Sequence, residues 1–319
     1  MANGISNLGG GAAPFWGDGS DGVLSAGATY QAGVDFDEES GFCIKQFTSI
    51  DWDPATPETL TVDKPCRGLI LFSQGPVYIG QNATISMAKK GSIVPVNPEC
   101  FIEMFGASAQ MRHIVDVLKT LRGGAGGDGG SGRSWNGGHA GTPGTGGIGR
   151  ICLGGIGGGG SGGGNGSTGG DGGSVILPEV FGHGGWAKDG WQGGGGRYST
   201  STTGSAPGGN PYGGGGAGGS KGLAAEGEHA GGFILIIAKG SIEISGTLDV
   251  TGGNGGSNTS GSTGTGGGGG GAGGGVIALF AQTSVDVSTA TINKNGGQGG
   301  TGYQNGTGGQ QGTLYTEAI

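Results

Sequence analysis

Long glycine tracts constrain this chain more than any other feature of its sequence. Of its 319 residues 90 are glycine, gathered mainly in segments 123–174, 182–232, 252–275 and 296–312. The tracts lack a strict G-X-Y period, which excludes a collagen triple helix. Hydrophobic residues make up only 32% of the chain and charged residues 12%, too little to fill one large conventional core. The chain is therefore either a low-complexity linker or a repetitive structure in which backbones pack against one another.

Two interpretations of the glycine tracts remain open at this point. Glycine-rich segments commonly form flexible linkers. Linkers seldom carry Trp, Arg, His and Tyr at the density found in 181–212, which favours order. Without side chains, extended glycine strands can approach closely and exchange backbone hydrogen bonds, as in a polyglycine-II lattice. We expect such a lattice.

Short apolar runs repeat along the chain and predict strands. FILII at 233–237 matches VIALF at 276–280, and the following IEI at 242–244 matches VDV at 285–287. GLILF at 68–72 begins a looser third copy. Alternating residues place one side of a strand inward and the other in water, and a unit that cannot bury its apolar side alone must stack. The sequence predicts an all-β fold of β-solenoid-like stacked rungs with polyglycine-II-type insertions.

One short helix is expected over 107–121. Met111, Ile114, Val115 and Leu118 recur at helical spacing, Ser108 is a suitable N-cap, and Gly123 is expected to end the helix. Its apolar face suits either a cover over an open rung or an assembly surface. The predicted divisions are an anchoring region at 1–66, the first rung and helix at 67–122, glycine-rich insertions at 123–232, and repeated rungs at 233–319.

Charge and composition argue against several function classes. The formal net charge is −8 and no basic run is present, so binding to nucleic acid is not expected. No apolar stretch approaches the roughly 18 residues of a membrane span, and the opening MANGISNLGGG does not resemble a secretory signal. We expect no cofactor and no metal. The four cysteines have no metal-ligand spacing and are expected to be buried thiols, although a Cys43–Cys66 disulfide remains an alternative.

Acidic residues near the N-terminus could supply a pair of carboxylates for glycoside cleavage. Asp18 and Asp21 lie in FWGDGSDG, and a further acidic group spans 35–39. Turn and surface positions explain these residues as well, and we expect no enzyme.

Aromatic and cationic residues within the glycine tracts suggest a binding surface. Aromatic faces and forked donors suit sugar rings and polar surface groups, whereas the same aromatics could instead cover the glycine strands. With an extended backbone, Trp186 and Trp191 would stand roughly 15 Å apart. The predicted binding residues are Trp135, Trp186, Lys188, Trp191, Arg197, Tyr198 and Tyr212.

The GGGGxGG texture and the segments GSIEISGTLDVTGGNGG and FWGDGSDGVL resemble glycine-rich surface proteins of tailed bacteriophages, including polyglycine-rich tail-fibre tip adhesins. The resemblance is one of composition. It implies a virion structural protein on the particle surface, displaying loops 131–150, 181–212, 257–265 and 301–307 for attachment to a host-surface glycan or protein. It further implies contacts with other virion proteins through the N-terminal region and a homo-oligomer. A capsid-decorating or filament-forming subunit without a receptor is the alternative.

Overall fold

The computed structural model of the chain describes residues 15–38, 41–92, 94, 96–132, 143, 145–157, 160, 228–257 and 267–319, and the backbone of 185–186 and 192–193. Seventeen strands and two helices lie within these residues. In chain order they are β1 (Val23–Leu24), β2 (Thr29–Tyr30), β3 (Phe42–Phe47), β4 (Ser49–Trp52), β5 (Glu58–Val62), β6 (Gly68–Ser73), β7 (Val77–Ile79), β8 (Ala83–Ser86), α1 (Cys100–Phe105), α2 (Ala109–Leu118), β9 (Gly185–Trp186), β10 (Gln192–Gly193), β11 (Phe233–Ala238), β12 (Ile242–Ile244), β13 (Thr247–Asp249), β14 (Val276–Ala281), β15 (Val285–Asp286), β16 (Thr291–Asn293) and β17 (Thr313–Ala318).

Fifteen of these strands form three parallel sheets of five strands each. Sheet 1 has the order β3-β6-β11-β14-β17, sheet 2 the order β1-β4-β7-β12-β15, and sheet 3 the order β2-β5-β8-β13-β16. From β3 onward the chain visits sheets 1, 2 and 3 in turn, so each group of three consecutive strands, here called a triplet, adds one strand to every sheet. The all-β prediction is confirmed at this level.

The repeated apolar runs are neighbours in sheet 1, as the sequence predicted. Phe233 pairs with Val276 and Ile237 with Phe280, while Ile234 pairs with Leu69 on the other side of β11. The sequence match between the runs is therefore also their register. β6 and β11 are parallel neighbours although more than 160 residues separate them along the chain. The chain between β8 and β11 therefore leaves the sheets and returns to the position next to β6.

Sheet 1 is buried on both faces, which explains its uninterrupted apolar runs. One face, with Leu71, Ile236 and Leu279, joins the core enclosed by the three sheets. The opposite face, with Phe72 and Leu235, packs against the helices. Sheets 2 and 3 instead alternate, as in Ile-Glu-Ile of β12 with its buried-exposed-buried pattern, because their outer faces meet water.

The prediction of one helix is wrong in number and in length. Helix α2 begins where expected, since the Ser108 hydroxyl accepts a hydrogen bond from the Met111 N–H at 3.1 Å. It ends at Leu118 with Lys119 as its C-cap, before Gly123. Helix α1 was missed because six residues give too little periodicity, and the Glu99 side chain makes no capping hydrogen bond.

The described parts of the glycine tracts are hydrogen-bonded to one another with a three-residue period. The N–H groups of Gly124, Gly127 and Gly130 donate to the carbonyls of 274, 271 and 268, running antiparallel. Those of 268, 271 and 274 donate in turn to the carbonyls of 304, 307 and 310, running parallel. Tract 267–275 is buried throughout, because tracts 123–131, 154–157, 251–257, 294–301 and 304–312 surround it.

All four cysteines are thiols, as expected from their spacing. Burial raises the pKa of the Cys100 thiol to about 11, although the positive charge of Arg67 acts in the opposite direction and lowers it. Burial likewise holds the pKa of Cys43 and of Cys152 far above the ordinary range of a thiol. These three sulfurs are therefore protonated packing groups at neutral pH.

Candidate functional site

The bundle of glycine tracts stands on the edge of the three sheets. Tract 251–257 follows β13 and tract 294–301 follows β16, so both run away from the sheets. Tracts 267–275 and 304–312 run back and continue directly into β14 and β17. The bundle therefore has one end at the sheets and one end away from them.

The end away from the sheets brings together residues from six tracts and is called the distal end below. The Gly130 N–H donates to the Gly268 carbonyl at 2.7 Å, and the Gln304 N–H donates to the Ser131 carbonyl at 3.2 Å. The Thr301 N–H donates to the Ser257 hydroxyl oxygen at 2.9 Å. The distal end comprises Ser131, Gly160, Ser257, Gly267, Gly268 and residues 300–305.

Most of the predicted binding residues lie outside the described residues. They are Trp135, Lys188, Trp191, Arg197, Tyr198 and Tyr212. The segment with Trp135 follows Ser131 and Gly132, and the segment with the other residues follows Gly160. Ser131 and Gly160, which precede these two segments along the chain, both lie at the distal end, a proximity that sequence reasoning alone did not predict.

Trp186 is described by its backbone only. It belongs to β9, which pairs antiparallel with β10 in the register Gln192 to Trp186. Directly opposed residues of an antiparallel pair have Cα atoms roughly 5 Å apart. Trp191 lies outside the described residues, so the expected spacing of roughly 15 Å between Trp186 and Trp191 in an extended chain stays a prediction.

Tyr303 is the described aromatic residue of the distal end, with 53% of its surface exposed. It lies in a tight connection in which the Gly302 N–H donates to the Asn305 side-chain oxygen at 3.1 Å. Thr301, Gln304 and Asn305 beside it are also exposed. An exposed aromatic face next to amide donors and acceptors can stack on a sugar ring and bond its hydroxyls.

Sequence reasoning named the segment 301–307 but not Tyr303. The many Trp and Arg residues of 181–212 pointed to that segment as the binding surface. A single tyrosine in a glycine tract was a much weaker signal. The available signal was that Tyr303 is the one aromatic residue between Gly296 and Gly312, where few apolar partners could bury it.

The side of the bundle next to Tyr303 is polar and largely uncharged. Every third residue of two tracts points outward, because a three-residue period returns each third side chain to the same face. The exposed members of these two rows are Asn295, Gln298, Thr301, Gln304, Thr307 and Gln310. Such a face offers hydrogen bonds without selecting a charged ligand.

The acidic residues considered for glycoside cleavage hold backbone and lysine groups in place. An Asp18 oxygen accepts a hydrogen bond from the Ser20 N–H at 2.9 Å, and an Asp21 oxygen accepts one from the Gln46 N–H at 2.6 Å. Asp35 contacts the Lys45 ammonium at 2.7 Å. Burial raises the pKa of Asp35, but its hydrogen bonds to Lys45 and Gln31 outweigh burial and lower it. These carboxylates match the interpretation as turn and surface acids.

Among the residues that the structure describes, no three acidic, histidine or cysteine side chains lie close enough together to hold a metal ion. In the same part of the chain, no helix combines the length and the apolar character needed to cross a bilayer. A comparison of the chain with models of protein families, with curated proteins and with solved structures returned no match.

Proposed function

We propose that this protein is a non-catalytic structural protein on the surface of a virion, and that the distal end of its glycine bundle attaches the particle to a glycan or protein of the host surface. In this proposal the three parallel sheets are the faces of a β-solenoid, and the triplets are its successive turns. The glycine tracts form a polyglycine-II lattice that carries the attachment loops away from the sheets.

Two observations support the proposed architecture. From β3 onward the chain places successive strands in sheets 1, 2 and 3 in constant order, as the turns of a solenoid would. The backbone bonds of the described glycine tracts recur at every third residue, which is the period of a polyglycine-II strand.

The observation that carries the functional proposal is the convergence of the tract ends. Ser131, Gly160, Ser257 and residues 300–305 lie together at the end farthest from the sheets. Three of the four loops expected to contact a receptor, 131–150, 257–265 and 301–307, begin there. A rigid bundle lets several loops bind one target at little entropic cost, because their anchor points are already fixed.

Exposed chemistry at this end favours a glycan over a strongly charged ligand. Tyr303 offers an aromatic face, and the adjoining rows offer amides and hydroxyls. In this proposal the segments that follow Ser131 and Gly160 along the chain contribute the indole rings of Trp135, Trp186 and Trp191, which suit the apolar faces of sugar rings.

The test measures binding of the labelled full-length chain to a panel of bacterial cells and purified surface polysaccharides. Tyr303→Ala and Trp191→Ala should each weaken binding at least about tenfold, equivalent to about 1.4 kcal/mol, with the melting temperature unchanged. Tyr78→Ala is the matched control, because Tyr78 is a half-buried tyrosine in β7 of sheet 2.

Equal weakening by Tyr78→Ala would contradict a distal binding site. A chain that binds no surface of the panel, yet is a stoichiometric component of purified particles, would favour the purely architectural alternative.

A further inference from the structure

The two ends of the three-sheet stack differ in how they are covered. At the end formed by β1, β2 and β3, the Asp21 N–H donates to the Gln46 carbonyl and the Thr48 N–H to the Gly22 carbonyl, so a preceding segment bonds the outer side of β3. Phe36 is buried against the core at this end. Part of the backbone edge of β3 and the apolar interior are thus covered here.

At the opposite end, β15, β16 and β17 are the last strands of sheets 2, 3 and 1 in the described residues. The Thr313 N–H donates to the Gly275 carbonyl and the Ile319 N–H to the Ala281 carbonyl. Since alternate residues of a parallel strand bond the same neighbour, the N–H groups of Leu314, Thr316 and Ala318 point away from β14. They form a row of donors along an edge.

The apolar interior is only partly covered at this end. Val285, Ile292 and Leu314 are half-buried. Their direct neighbours one triplet earlier are Ile242, Leu248 and Ile277, and these are fully buried. The core therefore meets solvent in the last layer of the described stack.

An inward-pointing charge is one device by which an unpaired edge strand avoids association. The first edge has such a charge, because Lys45 in β3 lies opposite the inward Leu71 and pairs with Asp35 at 2.7 Å. The last edge has none: its inward positions are Val285, Val287, Ala290, Ile292, Leu314, Thr316 and Ala318. This contrast indicates an edge that pairs with another.

We propose that the β15–β16–β17 edge is the interface of a homodimer, in which two copies of this chain join end to end about a two-fold axis. A head-to-tail arrangement would need the opposite edge, where residues 21–22 already bond one end of β3 and Phe36 covers the core. The two-fold axis stands perpendicular to sheet 1 and makes β17 antiparallel to its copy. The same axis places β15, the last strand of sheet 2 in one protomer, next to β16, the last strand of sheet 3 in the other.

Self-complementarity of β17 sets the register of this pairing. The inward side chains of both copies must face the joined core. Directly opposed residues of an antiparallel pair have their side chains on the same face, so an even-numbered residue must lie opposite an even-numbered residue, and an odd-numbered residue opposite an odd-numbered one. Centring on Thr316 pairs Leu314 with Ala318 and Tyr315 with Glu317. Centring on Glu317 would place two carboxylates directly opposite, which is unfavourable. The Thr316 register also uses the whole strand.

Sedimentation velocity of the full-length chain at micromolar concentration tests the interface. The wild type should sediment as a dimer of the 30.6-kDa chain. Thr316→Pro should be monomeric, because proline removes an outward N–H and leaves the bonds to β14 in place. Thr316→Ala keeps that N–H and should remain dimeric. A monomeric wild type, or a dimer that survives Thr316→Pro, would refute the proposed interface.

A cross-linking measurement keeps the test decisive should Thr316→Pro fail to fold. In the proposed register Thr316 faces its own copy, so the Thr316→Cys variant should form a disulfide-linked dimer under mild oxidation. Thr59→Cys is the control, since Thr59 is exposed on β5, away from this edge. No enrichment of cross-linked dimer over the control would overturn the pairing. Neither measurement depends on host binding, so the proposed function and the dimer can fail separately.

Discussion

Replacing Gly271 with alanine tests whether backbone packing holds the glycine bundle together. Gly271 lies in the buried central tract, where its N–H donates to the Thr307 carbonyl at 2.9 Å. A Cβ added here would overlap the Gly297 carbonyl group, lying 2.6 Å from its carbon, and would lie 2.8 Å from the Gln298 carbonyl oxygen. Ordinary contact begins near 3.4 Å, so the two tracts would have to separate.

The cost combines three effects. Overpacking a tight interior costs about 1–3 kcal/mol. Separation also weakens the bond from the Gly297 N–H to the Ala272 carbonyl and a neighbouring bond, at about 1–1.5 kcal/mol each. Loss of unfolded-state freedom returns about 0.4–1 kcal/mol. Gly271→Ala should therefore lower the free energy of unfolding by about 2–5 kcal/mol, and the melting temperature by about 10 °C.

Gly308→Ala is the matched control within the same bundle. Gly308 is exposed, and a Cβ there meets only the Gly297 carbonyl oxygen, at 3.3 Å. Its stability should stay within about 1 kcal/mol of wild type. Thermal unfolding followed by circular dichroism gives the comparison, and hydrogen exchange should show protection lost over 267–275 in Gly271→Ala alone. Equal melting temperatures and equal protection in the two variants would refute close backbone packing.

Two further predictions concern the sheets and helices. Burial lowers the pKa of His229 to about 4, and Lys90 and Arg150 add to this effect against a hydrogen bond to a backbone carbonyl. Between about pH 6.5 and pH 4 the unfolded chain therefore binds a proton that the folded chain does not bind. The free energy of unfolding is highest above about pH 6.5 and falls by roughly 2 kcal/mol toward pH 4. This value includes a reduction for the partial exposure of the ring to solvent. His229→Gln should flatten this dependence between pH 4.5 and 7, and an unchanged slope would exclude His229 as its source. Ser108→Ala should cost about 1 kcal/mol in urea unfolding by removing the α2 cap, whereas exposed Ser284→Ala should change little; equal effects would show that the cap contributes nothing.

The sequence by itself determined the repeated apolar strands and their register, but it did not predict β17. FILII and VIALF at 233–237 and 276–280 match one for one and pair one for one in sheet 1, because identical apolar patterns in stacked units bury the same positions. It also located α2, since an N-cap and apolar residues spaced three and four apart are local signals. Helix α1 escaped this reasoning because it is short and uncapped.

Only the tertiary structure decided where the tracts meet and what they expose. A glycine has no side chain to mark an inner face, so nothing in GGGGGAGGG reveals that tract 267–275 is the buried centre of a bundle. That fact follows from which backbone groups its own N–H and carbonyl groups bond, across up to about 150 residues of chain. Likewise, Tyr303 became a candidate contact residue only when the tract ends were found together. Local pattern sets which residues form strands, whereas hydrogen bonds between distant backbones decide which glycine strands become neighbours.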